Sequence, residues 1–166
     1  FAVAEERKRS VVIVKIGENT KSIPRANQPH VICNIDNNKD NKGFEGIAFD
    51  PKNNHFYLAK ERSPRKIIMI KGLMKKQNES LQLNINEPWD AEKNHLYMDD
   101  ISGLHFSEKT RTLLVLSDES RLLAEVSLQG KKLSFIDLEK GFFNLPEDIP
   151  QPEGITLDHE DNIYII

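Results

Sequence analysis

Phe44-Glu45-Gly46-Ile47-Ala48-Phe49-Asp50 reads as a short strand entered through a glycine, and the chain repeats it twice. Ile101-Ser102-Gly103-Leu104-His105-Phe106-Ser107 and Pro152-Glu153-Gly154-Ile155-Thr156-Leu157-Asp158 carry the same pattern. A polar turn follows each copy, and a second apolar run then begins: Phe56 to Ala59, Leu113 to Leu116 and Ile163 to Ile166. Phe1 to Ala4 matches that second run without a first strand before it.

A third run follows at Val11 to Ile16, Ile67 to Ile70 and Leu122 to Leu128. A fourth lies at Val31 to Ile35, Leu81 to Ile85 and Leu133 to Leu138. The unit therefore has four strands. Its second strands start at Phe1, Phe56, Leu113 and Ile163, which are 55, 57 and 50 residues apart. That period predicts an all-β fold, a β-propeller of four-stranded blades. A sandwich is the other all-β possibility, but it does not require its strands to repeat in register. Helical spacing of apolar residues is absent over any useful length.

The units run over about 1–42, 43–98, 99–150 and 151–166 of one propeller domain. The strand count runs from a second strand to a second strand, whereas closed rings have about four to eight blades. The expectation from this count is an incomplete fragment of a larger ring.

Composition places the chain among folded globular proteins: 166 residues, 38% hydrophobic, 30% charged, with a net charge of −3. That balance gives no broad attraction to phosphate backbones and argues against a nucleic-acid partner. The basic stretches Lys60 to Lys66 and Lys71 to Lys76 are short and read as solvated loops and strand ends. Cys33 is the single cysteine, which excludes an internal disulfide, and reads as a small apolar residue in a strand. The longest apolar runs, such as Val11 to Val14, are far too short to span a bilayer.

The phrases from Gly43 to Asp50, from Asp100 to Phe106, Leu114-Val115-Leu116-Ser117-Asp118-Glu119-Ser120 and Pro152-Glu153-Gly154-Ile155 together resemble the SdiA-regulated, or YjiK-like, family over nearly the whole chain. The resemblance implies a bacterial propeller of poorly defined role, with an extracytoplasmic or periplasmic body. It also implies an N-terminal membrane anchor, which these residues do not include.

In a propeller the first strands line the central channel, and the loops entering them share a face with the loops leaving the second strands. Glu45, Ser102 and Glu153 precede or open first strands, while Glu6, Glu61 and Asp118 follow second strands. All six are expected at one channel mouth. Crowded carboxylates either raise their own pKa values or recruit a hard cation, and calcium takes about six to eight oxygen ligands. The candidate metal ligands are thus Glu45, Asp118, Glu153, Glu61 and Glu6, with Ca2+ as the ion. The alternative is structural: the carboxylates accept backbone amides or pair with Arg7, Arg62 and Arg121. Asp36 to Asn41 begins like a calcium loop, but Asn41 stands where glycine is needed and Ile47 where the bidentate Glu belongs, so it reads as a polar turn.

Ser102, His105 and Trp89 are candidate ligand-binding residues. His105 is read as a general base if it faces the channel, or else as a packed strand residue. Trp89, read in a long connection from Asn86 to Asp100, is either a stacking side chain at the mouth or a plug on the core. Standard catalytic signatures are absent. The first functional reading is a binding module that holds a cation, small molecule or protein at the channel mouth. The second is a metal-dependent hydrolase of a lactone, ester or phosphate ester.

Overall fold

The computed structural model describes residues 1–33, 43–62, 64–74, 84–91, 93–94 and 96–166. Four antiparallel sheets follow one another along the chain. The first contains β1 (Ala2–Glu5), β2 (Ser10–Ile13) and β3 (His30–Ile32). The second contains β4 (Phe44–Asp50), β5 (His55–Lys60), β6 (Lys66–Lys71) and β7 (Asn84–Asp90). In the third are β8 (Gly103–Ser107), β9 (Thr112–Ser117), β10 (Leu122–Val126) and β11 (Lys132–Asp137), and in the fourth β12 (Ile155–Leu157) and β13 (Ile163–Ile165). No α-helix occurs among the described residues, and none is long and apolar enough to cross a membrane. The chain is all-β, built as successive blades of a β-propeller. β4 lies against β8 and β8 against β12, so the first strands of these three units stand side by side along the inner edge, and β1, a second strand, lies against β4.

The packing explains why the middle strands read as unbroken apolar runs. Successive side chains point to opposite faces of a strand, and here both faces meet another blade. Along β5, Tyr57 and Ala59 join the core shared with the third sheet, while Phe56 and Leu58 join the core shared with the first. Along β9, Leu113 and Val115 face the second sheet, while Leu114 and Leu116 face the fourth. Each such large side chain, fully buried, contributes roughly 1.5–3 kcal/mol.

Gly46 marks the closest approach of two blades. A Cβ there would lie 2.7 Å from Leu104 Cβ and 2.8 Å from its amide nitrogen, so only glycine lets β4 and β8 come together. Of the residues that follow the three repeated glycines, Leu104 is buried. Ile47 is half-buried because it lines a cavity, and Ile155 is half-buried against the core of the third and fourth sheets.

The first-to-second hairpins share a closing device. Asp50 accepts the amides of Lys52 and Asn53, Asp158 those of Glu160 and Asn162, and the Ser107 hydroxyl accepts the amide of Thr110. Asn54, Arg111 and Asp161 then turn the chain at positive φ (55°, 60° and 64°).

Several boundaries differ from the sequence reading. β2 ends at Ile13 rather than Ile16, as the chain leaves the ladder once the Val14 amide has bonded to Phe1 O. β10 ends at Val126, where Ser127 caps a turn by accepting the amides of Gln129 and Lys131. The outer strand β7 runs on to Asp90, so Trp89 sits in a strand and not in a connection. Pro88 is tolerated because β7 is an edge strand with a register shift opposite Ile67 to Met69. Lys60 is not solvated: it is buried, and its ammonium donates to the Arg62 carbonyl at 2.5 Å. Cys33 is buried directly after β3. The Asp36–Asn41 turn, Leu81 to Leu83, and Lys75 with Lys76 lie outside the described residues.

Candidate functional site

Two places in each unit feed one cavity: the entry to the first strand and the exit from the second. Glu45 opens β4, and Glu61 follows β5. Ser102 precedes β8, Asp118 follows β9, and Glu153 precedes β12. All five line a single cavity of about 150 Å3, together with Arg62, Asp100 and Glu119. The lining is six carboxylates, one guanidinium and one hydroxyl. No apolar side chain takes part.

The charges are crowded enough to act on one another. Desolvation comes first in pushing the Glu45 carboxyl up to about 7, and the charges of Glu6, Glu61, Glu153 and Asp100 push in the same direction. Part of the Glu45 side chain still meets solvent. Glu6 does not line the cavity, but its charge reaches Glu45, and its Oε1 is a buried atom without a hydrogen-bond partner among the described residues. Gly43 brings the backbone against Glu6, since a Cβ at that glycine would meet Glu6 O at 2.2 Å.

Arg62 is the cation of the group. Its Nε lies 2.6 Å from Glu61 Oε1, and its Nη2 lies 2.8 Å from Glu119 Oε1 on the next blade. Arg121 turns away to Asp148 at 2.5 Å. The pairing reading thus holds for Glu61, through Arg62, and Arg121 serves a different acid. Asp100 is buried, and it is fixed by accepting from the Ser117 hydroxyl and, at 3.1 Å, from the Glu119 amide. The Ser102 hydroxyl donates to Pro152 O at 2.7 Å, so it joins two blades at the cavity wall. Among the described residues no three His, Cys, Asp or Glu side chains are drawn together tightly enough to hold a metal ion as they stand. The donors present are all oxygens, the set that suits calcium or magnesium rather than a softer metal.

His105 and Trp89 lie elsewhere. His105 is half-buried in the middle of β8 and lines a separate cavity at the far end of the first strands. Trp89 is 4% exposed and packs in the core between the second and third sheets, against Gly130, whose added Cβ would meet its Cγ at 2.7 Å. It plugs the core. Asp100 and Glu119 escaped the sequence reading because their counterparts in the repeat are not acids: Gly43 stands at the place of Asp100, and Arg62 at that of Glu119. Both stand inside motifs that the sequence reading recognised, Asp100 at the head of Asp100 to Phe106 and Glu119 beside Asp118, and that was the available signal.

Inner strands entered through glycine, acids gathered where those strands begin, and an Asp/Ser-closed hairpin at the other end recur in the second, third and fourth units. The family model described as SdiA-regulated matches residues 1–166, and the chain belongs to the SdiA-regulated family.

Proposed function

We propose that the protein is an extracytoplasmic binding module whose acidic cavity holds a calcium ion at the channel mouth, where it presents that ion to a small molecule or protein partner. The observation that carries this reading is six carboxylates around about 150 Å3 with one guanidinium among them. Such a site is under electrostatic stress without a cation, and the raised Glu45 carboxyl is its symptom. Glu45 and Glu153 are exposed, so they are free to swing toward an ion in the cavity that Asp100 and Asp118 also line. Sites of this kind on extracellular modules bind calcium with Kd of roughly 10⁻⁴–10⁻³ M.

The lining supports binding over hydrolysis. A lactone or ester needs an apolar wall beside the metal, and a phosphate ester needs cations left over for its oxygens. This cavity has no apolar residue, and Arg62 is already shared by Glu61 and Glu119.

Calorimetric titration with CaCl2, paired with thermal melts in CaCl2 and in NaCl of equal ionic strength, tests the reading. Calcium at a hundredfold excess over Kd stabilises the fold by roughly 2.7 kcal/mol. A shift in melting temperature no larger than that given by sodium would overturn it.

A further inference from the structure

A second cavity is larger than the acidic one. It measures about 780 Å3, within the usual range for small-molecule sites, and opens at the far end of β4, β8 and β12. From Glu45 to Phe49 the inner strand climbs four residues, about 13 Å at roughly 3.3 Å each, so the two cavities occupy opposite ends of the same strands. Ile47, Phe49, Phe106 and Leu157 supply an apolar floor from three successive blades. Phe49 is 38% exposed and backed by Phe56 at a ring distance of 4.5 Å, which presents a braced aromatic face to the cavity.

The polar groups on the wall are mostly committed. Asp158 accepts from the amides of Glu160 and Asn162, from Asn162 Nδ2 and from the Tyr164 hydroxyl. Asp161 is paired with Lys109, and the Ser107 hydroxyl accepts from Thr110. Glu108, His159 and His105 line the wall without a hydrogen bond to any described residue, and of these only His105 is half-buried rather than exposed to solvent. Desolvation holds it below its ordinary pKa of 6.5 against the opposing pull of Glu108, so at neutral pH it offers one donor and one acceptor. Three carboxylates (Glu108, Asp158 and Asp161) face one ammonium (Lys109), which makes the wall unfavourable to anions.

We propose that this cavity is a second binding site, which takes an uncharged small molecule with a flat ring that stacks on Phe49 and one polar group that hydrogen-bonds to His105. The site stands independently of the acidic cavity. A half-buried imidazole beside an exposed, braced ring is the combination that fixes such a molecule by one directional bond and one face.

Benzyl alcohol, benzoate and benzylammonium share the ring and differ in charge, so they serve as probes. The protein is titrated with each while the His105 and Phe49 ring signals are followed by NMR. Benzyl alcohol is expected to shift both signals saturably, with at least fivefold tighter binding than either ion. Phe49→Leu and His105→Phe are each expected to weaken it at least fivefold. Phe49 is partly exposed, so its variant keeps the test open if the His105 variant does not fold. The absence of a saturable shift with wild-type protein overturns the proposal. Equal or tighter binding of benzoate or benzylammonium overturns it too, as does unchanged affinity in folded Phe49→Leu.

Discussion

Arg111 on the third sheet reaches Asp50 on the second with both guanidinium nitrogens, Nη1 to Oδ1 at 2.8 Å and Nη2 to Oδ2 at 2.5 Å. The Asp50 carboxylate is fully buried, and the Arg111 side chain is 32% exposed. The same guanidinium sits 4.7 Å from the centre of the Phe106 ring. Removing it leaves a buried carboxylate held only by Asn53 and two amides. Arg111→Ala is expected to destabilise the fold by about 1–3 kcal/mol, less than a fully buried pair because the arginine is partly solvated. Urea denaturation checks this, and a loss below about 0.5 kcal/mol would contradict it.

Glu45 makes the fold sensitive to pH at the opposite end. Its folded pKa, about 7, stands above the ordinary 4.5, so its favourable contribution is complete below about pH 4.5 and is lost as pH rises through 7. In chelator, stability should fall between pH 5 and pH 8, and Glu45→Gln should flatten that fall. Glu5 works in the other direction and in another window. The bond from Arg25 is the main cause holding it down to about 2, so its contribution is lost only as pH drops from 4.5 toward 2. Denaturation midpoints measured from pH 2 to pH 8 separate the two groups.

Calcium binding and the Glu45 proton compete. With a pKa of about 7, the carboxylate form falls from roughly nine-tenths at pH 8 to one-tenth at pH 6, which makes calcium binding about tenfold weaker at pH 6. Glu153→Gln should remove most of the calcium-induced stabilisation at pH 8 and leave the folded baseline intact. An affinity independent of pH would separate Glu45 from the ion.

Close approach and backbone conformation make different demands on glycine, and two alanine variants distinguish them. Gly46→Ala drives a methyl group into Leu104 and should cost about 1–3 kcal/mol. Gly141→Ala meets nothing within 4 Å but retains a φ of +89°, so its cost is about 1–2 kcal/mol of backbone strain alone. Only the first should loosen the junction of two blades, which hydrogen exchange of the β4 and β8 amides will report.

Cys33 is buried, and desolvation pushes its thiol up to about 11. A thiol reagent should label it at the rate of unfolding, so fast labelling of folded protein would refute the buried placement.

The repeat made the blades legible because each middle strand is pressed between two neighbours, and such strands must be apolar on both faces. It also brought Glu45, Glu61, Asp118 and Glu153 together, since equivalent positions in a repeat occupy equivalent places in space. What the repeat does not share could not be read that way. Asp100 has glycine at its counterpart in the second unit, and Lys60 is buried at a strand end where sequence places cations in water. The edge strand β7 absorbs Pro88 by slipping register, a tolerance that belongs to the pairing and not to the residue, and so Trp89 read as part of a connection. His105 sits mid-strand, and which end of the channel it serves depends on the twist of β8.

The hairpin from Ser107 to Thr112 extends two arms, Arg111 toward Asp50 on one neighbour and Lys109 toward Asp161 on the other. The arms start two residues apart on a turn that the positive φ of Arg111 holds in shape. One added or deleted residue would rotate both arms off their acceptors at once. The spacing of this turn is therefore fixed by geometry even where its letters are not. Between Gly141 and Glu147 most side chains are exposed and the stretch can absorb changes of length, while Asp148 and Ile149 stay held by Arg121 and by the core of the third and fourth sheets.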